Sequence, residues 1–203
     1  MCNRRLLVAS LWGSLLFLPL LFNQQAPAQQ ASGRPKKVLT PEQKVYQQQW
    51  KEYMVKRHTL QAHAKQVFEA EMVREKAKNC PNAGSTYDYN ICFSKQVTIT
   101  EENLKSYESD IRELMASAPR MSGESETNMR GPAGPNLTSA QLTGEFDAVE
   151  QSWRQYRDTA CTAAFHQFGG GTGGPSFQMQ CGLRLSRSHM RELDMIYDGK
   201  LHR

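Results

Sequence analysis

The five histidines His58, His63, His166, His189 and His202 form no HExxH or similar metal-binding pair, and the chain has no Gly-x-Ser-x-Gly elbow. Its one glycine-rich stretch lacks a Gly-Lys-Ser/Thr ending. These absences remove the usual signatures of zinc proteases, serine hydrolases and P-loop nucleotide-binding proteins. No second long apolar run follows Phe22, so no later segment reads as a membrane span. Carboxylate pairs of the glycosidase type are defined by spatial rather than sequence spacing, and none is singled out. With no nucleophile, base or metal constellation, the sequence reads as that of a protein that is not an enzyme, with no catalytic residues, no cofactor, no metal and no nucleic-acid partner.

What is present begins with a leader. Asn3-Arg4-Arg5, an apolar run from Leu6 to Phe22 and the small residues of Ala26-Pro27-Ala28 read as a signal peptide over residues 1–28. The run is near the lower length for spanning a bilayer, which leaves an uncleaved anchor as the competing reading, although Gly13 and Pro19 interrupt it. The expected location is the periplasm or the exterior. Of five cysteines, Cys2 leaves with the leader, and an even count of four in an exported chain implies disulfides. Four cysteines allow three pairings. Cys80 with Cys92 and Cys161 with Cys181 is the favoured one, because each bond ties two consecutive helices at their turn and contributes about 3 kcal/mol in the chain-entropy model. A reduced zinc site of Cys161, Cys181, His166 and His189 is the minority alternative.

Charge is unevenly distributed. Residues 34–78 carry eleven Lys or Arg against five Glu, a net +6, while residues 79–203 carry twelve against fifteen acidic residues, a net −3. The basic segment has the composition of a surface that meets peptidoglycan or anionic lipid, although Glu is interleaved with its cations.

The periodicity is helical throughout. Residues 29–39 read as a flexible lead-in. Residues 40–78 read as a long basic amphipathic helix opened by Thr40-Pro41-Glu42-Gln43, with Tyr46, Trp50, Tyr53, Leu60, Ala64, Val67 and Phe68 on one face. Residues 79–203 read as a disulfide-stapled helical domain. Its first helix restarts at Ser85 or Thr86 and carries Leu104, Tyr107, Ile111 and Leu114; Val97-Thr98-Ile99-Thr100 is locally strand-like but has no partner strand nearby. A flexible linker at 116–138 follows, containing Asn136-Leu137-Thr138, a glycosylation match too short to carry weight. The next helix, about Ser139 to Phe168, shows a stripe of Leu142, Phe146, Val149, Trp153, Tyr156, Ala160 and Ala164, and the glycines from Gly169 to Gly174 end it. A last helix is predicted to start near Ser186 or Ser188, bury Met190, Leu193 and Tyr197, and stop at Gly199. The fold class is therefore all-α: a small bundle of about four helices with two disulfide-closed turns and a long N-terminal helix.

Trp153 and Arg157 stand four residues apart, so the guanidinium can lie against the indole. Asp158 is within reach of Arg154 one turn back or of Arg191 on the last helix. The glycine loop lets a disulfide-closed turn reverse sharply.

The block Trp153-Arg154-Gln155-Tyr156-Arg157-Asp158-Thr159-Ala160-Cys161, followed by Gly170-Gly171-Thr172, Cys181 and Arg191-Glu192-Leu193, resembles the C-terminal half of the LprI-type lysozyme inhibitor family of exported bacterial proteins. Cys80, Cys92 and Asn103-Leu104-x-x-Tyr107 resemble its first half, so the resemblance covers roughly residues 79 to 198. It implies a helical, disulfide-stapled envelope protein with lysozyme as partner. It also implies that Trp153, Arg157, Asp158, Gly170, Gly171 and Arg191 are structural. Animal lysozymes are basic, and an acidic surface speeds association with them. Glu145, Asp147 and Glu150 are expected to cluster on the exposed side of their helix as the candidate contact. The alternative is an envelope structural or adaptor protein that binds peptidoglycan, lipid or a protein through its basic first helix.

Overall fold

The computed structural model describes residues 38–77, 79–119 and 137–203, together with the backbone of 130–131 and 134–135. The expected signal peptide, the lead-in up to residue 37, most of the 116–138 linker and Asn136 lie outside the described residues.

Helix starts are written into short polar motifs. α1, Pro41–Lys76, opens at Thr40, whose hydroxyl accepts the Gln43 N–H at 3.2 Å while the Gln43 side chain accepts the Thr40 N–H at 3.1 Å. This reciprocal box satisfies two donors that a helix start leaves free, and Pro41 sits where its missing N–H costs nothing. Ser85 with Asp88 opens α2, Thr86–Ala116, in the same way, and Thr138 with Gln141 opens α3, Ser139–His166. The strand-like Val97–Thr100 stretch is helical, because it lies inside a capped helix whose Thr100, Leu104 and Tyr107 are buried at helical spacing. Arg130–Gly131 (β1) and Gly134–Pro135 (β2) form a two-residue antiparallel ladder in the α2–α3 connection.

The last long helix departs from expectation. α4 spans Gly174–Ile196, starting well before Ser186. Gly-Gly-Pro reads as a breaker in sequence, but Pro175 falls in the first turn, where proline is tolerated, and the bond from Cys181 to Cys161 holds this early part of α4 on α3. Gly199, read as the stop, lies inside the short α5, Asp198–Leu201.

These helices belong to one unit, Leu39–Arg203. α2 is its centre and packs on α1, α3 and α4. The core joins Ala64 of α1, Leu104, Tyr107, Ile111, Leu114 and Met115 of α2, Phe146 of α3, Met190 and Leu193 of α4, and Leu201 of α5. Cys80–Cys92 staples the α1–α2 connection to α2, and Cys161–Cys181 staples α3 to α4. Among the described residues, no helix is long and apolar enough to cross a membrane.

Polar residues enter this core on purpose-built partners. Glu71 of α1 is fully shielded from solvent and accepts from Thr100 (2.7 Å), Asn103 (2.7 Å), Arg187 (2.7 Å) and Arg74. Burial alone pushes its carboxyl pKa up, but the hydrogen bonds from Arg187, Thr100 and Asn103 and the charge of Arg74 outweigh burial and hold it below the ordinary value.

Candidate functional site

α3 carries the residues singled out in the sequence, and its buried face is rotated from the apolar stripe. Val149 and Tyr156 are half or more exposed, while Thr143, Phe146, Glu150 and Cys161 are buried, with Trp153 and Arg157 partly so. The inward face therefore includes two charged residues that an apolar pattern omits.

Trp153 lies flat on His189 of α4, with ring centroids 4.0 Å apart and planes 8° from parallel. The guanidinium carbon of Arg157 lies 5.0 Å from the indole centroid, as the four-residue spacing implies. Arg157 also donates to both oxygens of Glu101 on α2 at 2.7 and 2.8 Å and to Asp158 at 3.0 Å. Asp158 thus pairs with its neighbour, not with Arg154 or Arg191. Arg154 instead reaches across to Glu108 of α2, and Arg191 to Glu75 of α1. The physical reason is helix phase: Arg154 faces α2, whereas Arg191 faces α1.

The glycine turn that follows Cys161 is conformational. Gly169 and Gly170 have φ of +53° and +82°, a backbone region that strains other residues. A Cβ on Gly171 would stand 3.1 Å from the carbonyl oxygen of Phe168. The N–H groups of Gly169, Gly171 and Gly174 donate to the carbonyls of His166, Phe168 and Gly171, so these donors are used within the turn. Cys161 and Cys181 are bonded to each other, which removes the thiolates that a Cys/His zinc site needs.

The expected acidic surface is only partly a surface. Glu145 is exposed, and Asp147 is half exposed with its oxygens held by Arg112 at 2.8 and 3.0 Å. Glu150 is not on the exposed side: it is 2 % exposed and turned toward α4, because it falls on the same face as Phe146 and Trp153. Both of its oxygens lie 3.0 Å from His189 Nε2. Glu108 of α2 completes this cluster, and the ligand-type atoms of Glu108, Glu150 and His189 all lie within 4.8 Å of one another. Burial and the nearby Glu150 push the Glu108 pKa up to about 8, against the pull of Arg154. Burial also pushes Glu150 up, but the hydrogen bonds from His189 and Glu108 prevail and hold it below the ordinary carboxylate value.

Above the cluster, an open cleft of about 240 Å³ between α2 and α3 is lined by Glu108, Phe146, Asp147, Glu150 and Arg154, among others. A second, of about 480 Å³, is lined by Glu101, Leu104, Lys105, Glu108 and Arg154. Sequence reading missed Glu108, Glu71 and Arg187, and it placed His189 with Cys161, Cys181 and His166 instead of with Glu108 and Glu150. For Glu108 a signal existed, since it follows Leu104 by four residues and precedes Ile111 by three, on the buried face of α2.

The fold and this face define a twice-stapled helical bundle whose conspicuous charges serve mainly to join its helices. Residues 77–193, more than half the chain, match the family model described as lysozyme inhibitor LprI, and the chain belongs to that family. The match takes in both disulfides, the Trp153 block, the glycine turn and the Glu108–Glu150–His189 cluster, while α1 precedes it. No curated protein and no solved structure matches the chain.

Proposed function

We propose that the protein is exported and binds lysozyme in the cell envelope, occluding the cleft of the enzyme. Membership of the lysozyme inhibitor family over residues 77–193 carries this reading. Charge supports it. Residues 79–203 have a formal net charge of −3, and attraction to a basic lysozyme raises the rate of encounter. Of the three carboxylates expected at the contact, Glu145 and Asp147 are exposed to a partner, Asp147 within its pair with Arg112, and Glu150, being buried, leaves the contact set. Inhibition of this kind needs no chemistry from the inhibitor: a rigid acidic face over the cleft excludes substrate. The test is the turbidity of a bacterial suspension lysed by lysozyme, with and without the purified protein. Slower clearing supports the proposal, and unchanged clearing at micromolar excess refutes it.

One observation favours a second reading, an envelope adaptor acting through α1. Trp50 is 41 % exposed and stands between Tyr46 and Tyr53, with ring centroids 6.3 and 5.3 Å away, on a helix that also presents Lys44 and Lys51 to solvent. Flat rings beside cations suit peptidoglycan or an anionic lipid surface. Co-sedimentation with peptidoglycan that is lost in Trp50→Ala, in a variant that still inhibits lysozyme, assigns this function to α1; no co-sedimentation removes it.

A further inference from the structure

We infer that Glu108, Glu150 and His189 form a binding site for a divalent metal ion of the zinc class. The three residues come from α2, α3 and α4, so the packed helices set their spacing, and they are 6, 2 and 3 % exposed. One ligand atom from each lies within 4.8 Å of the other two. His189 Nε2 is 3.0 Å from the Glu150 oxygens. Donors bound to one tetrahedral zinc at about 2.0–2.2 Å stand about 3.3–3.6 Å apart, near the His189–Glu150 spacing, and coordination draws in any pair that stands nearer the 4.8 Å limit.

The second observation is an unmet oxygen. Glu108 Oε1 is buried and receives no hydrogen bond, because Arg154 engages Oε2. A buried carboxyl oxygen without a donor is met either by a cation or by a proton shared with Glu150, and the titration below separates the two.

The surroundings fit a ligand histidine. Trp153 fixes the imidazole plane, and Glu192 Oε2 lies 3.5 Å from Nδ1. A carboxylate at that nitrogen orients a metal-bound imidazole and keeps the Nε2 lone pair toward the ion. An imidazole among the ligands favours zinc and its neighbours over magnesium or calcium, which take oxygen donors. The open cleft lined by Glu108 and Glu150 supplies the entry path and room for a water as fourth ligand. The ion ties α2, α3 and α4 together beside the two disulfides.

The site is separate from the lysozyme reading, and each can fail without the other. The experiment is calorimetric titration of Zn²⁺ into the chelator-treated, disulfide-bonded protein, with thermal melts run in parallel. One equivalent of binding and a Tm raised by several degrees are expected, both lost in Glu108→Gln and Glu150→Gln variants whose circular dichroism matches the parent. Absence of binding by the parent, or binding that survives in those folded variants, overturns the site; in the former case a proton holds the two carboxyls together. Should the variants fail to fold, the parent crystallised with Zn²⁺ decides. An anomalous peak bonded to Glu108, Glu150 and His189 supports the site, and a peak elsewhere or none overturns it.

Discussion

Arg187 and Glu71, separated by 116 residues in sequence, meet in the core, where the guanidinium Nε donates to the carboxylate at 2.7 Å. Neither is accessible to solvent beyond 3 %. Glu71 brings α1 to this contact and Arg187 brings α4, while Thr100 and Asn103 of α2 fill the remaining acceptor positions. Removing one partner leaves the other charged, buried and unpaired. Glu71→Ala is therefore expected to lose about 3–5 kcal/mol of stability in urea unfolding, far more than an exposed Glu→Ala change. A loss below about 1 kcal/mol would contradict the pairing.

The same carboxylate predicts a pH dependence. Its folded pKa lies below the ordinary 4.5, so the stability it contributes is complete above the unfolded value and is lost as pH falls through the folded one. The stability difference between the parent and Glu71→Gln should hold steady from pH 7 to about pH 5 and then shrink on further acidification. Urea midpoints measured across that range check it; a difference that grows with acid contradicts the sign.

α1 shares its core with the segment that the family match covers. Ala64 is completely buried, Leu60, Val67 and Phe68 pack against the same cluster, and Phe68 lies 5.7 Å from Tyr107 between ring centroids. Deleting residues 39–76 from the chain exposes the α2 face and removes Glu71 from Arg187. Loss of cooperative thermal unfolding is the expected result. A shortened chain that melts as sharply as the parent would show α1 to be an appendage.

The two disulfides close loops of 12 and 20 residues. Reducing them, or replacing Cys161 and Cys181 together by Ser, should cost roughly 3 kcal/mol per bond by the chain-entropy argument. Thermal melts with and without reductant give the number, and unreduced peptide maps should yield Cys80 linked to Cys92 and Cys161 linked to Cys181.

Much of this fold is legible from local chemistry. Thr40, Ser85 and Thr138 announce helix starts because a hydroxyl followed three residues later by Gln or Asp satisfies free N–H groups, and no distant information is involved. The cysteine pairing is legible for the same reason, since each bond joins neighbouring elements. The start of α4 is not, because Pro175 is a breaker or a first-turn residue according to what packs beside it. The charged clusters are hidden for a third reason. Glu150 occupies an inward position on α3, yet a pattern built on apolar residues assigns that position to solvent and chooses Val149 and Tyr156 instead. Only the packed structure reveals that His189 waits opposite Glu150, and that Glu150 therefore cannot be the contact that Glu145 and Asp147 can be.

The association with lysozyme is expected to depend on those two exposed carboxylates. Glu145→Lys combined with Asp147→Lys should slow association about tenfold at low salt, with the effect fading as ionic strength rises. Unchanged association rates would move the contact to another face.

The most direct measurement for the account as a whole is the turnover of a soluble oligosaccharide by lysozyme, titrated with the folded, disulfide-bonded protein. The account predicts falling turnover that saturates with inhibitor and is relieved by raising substrate, as cleft occlusion requires. Turnover that stays constant at micromolar excess of folded protein would contradict it.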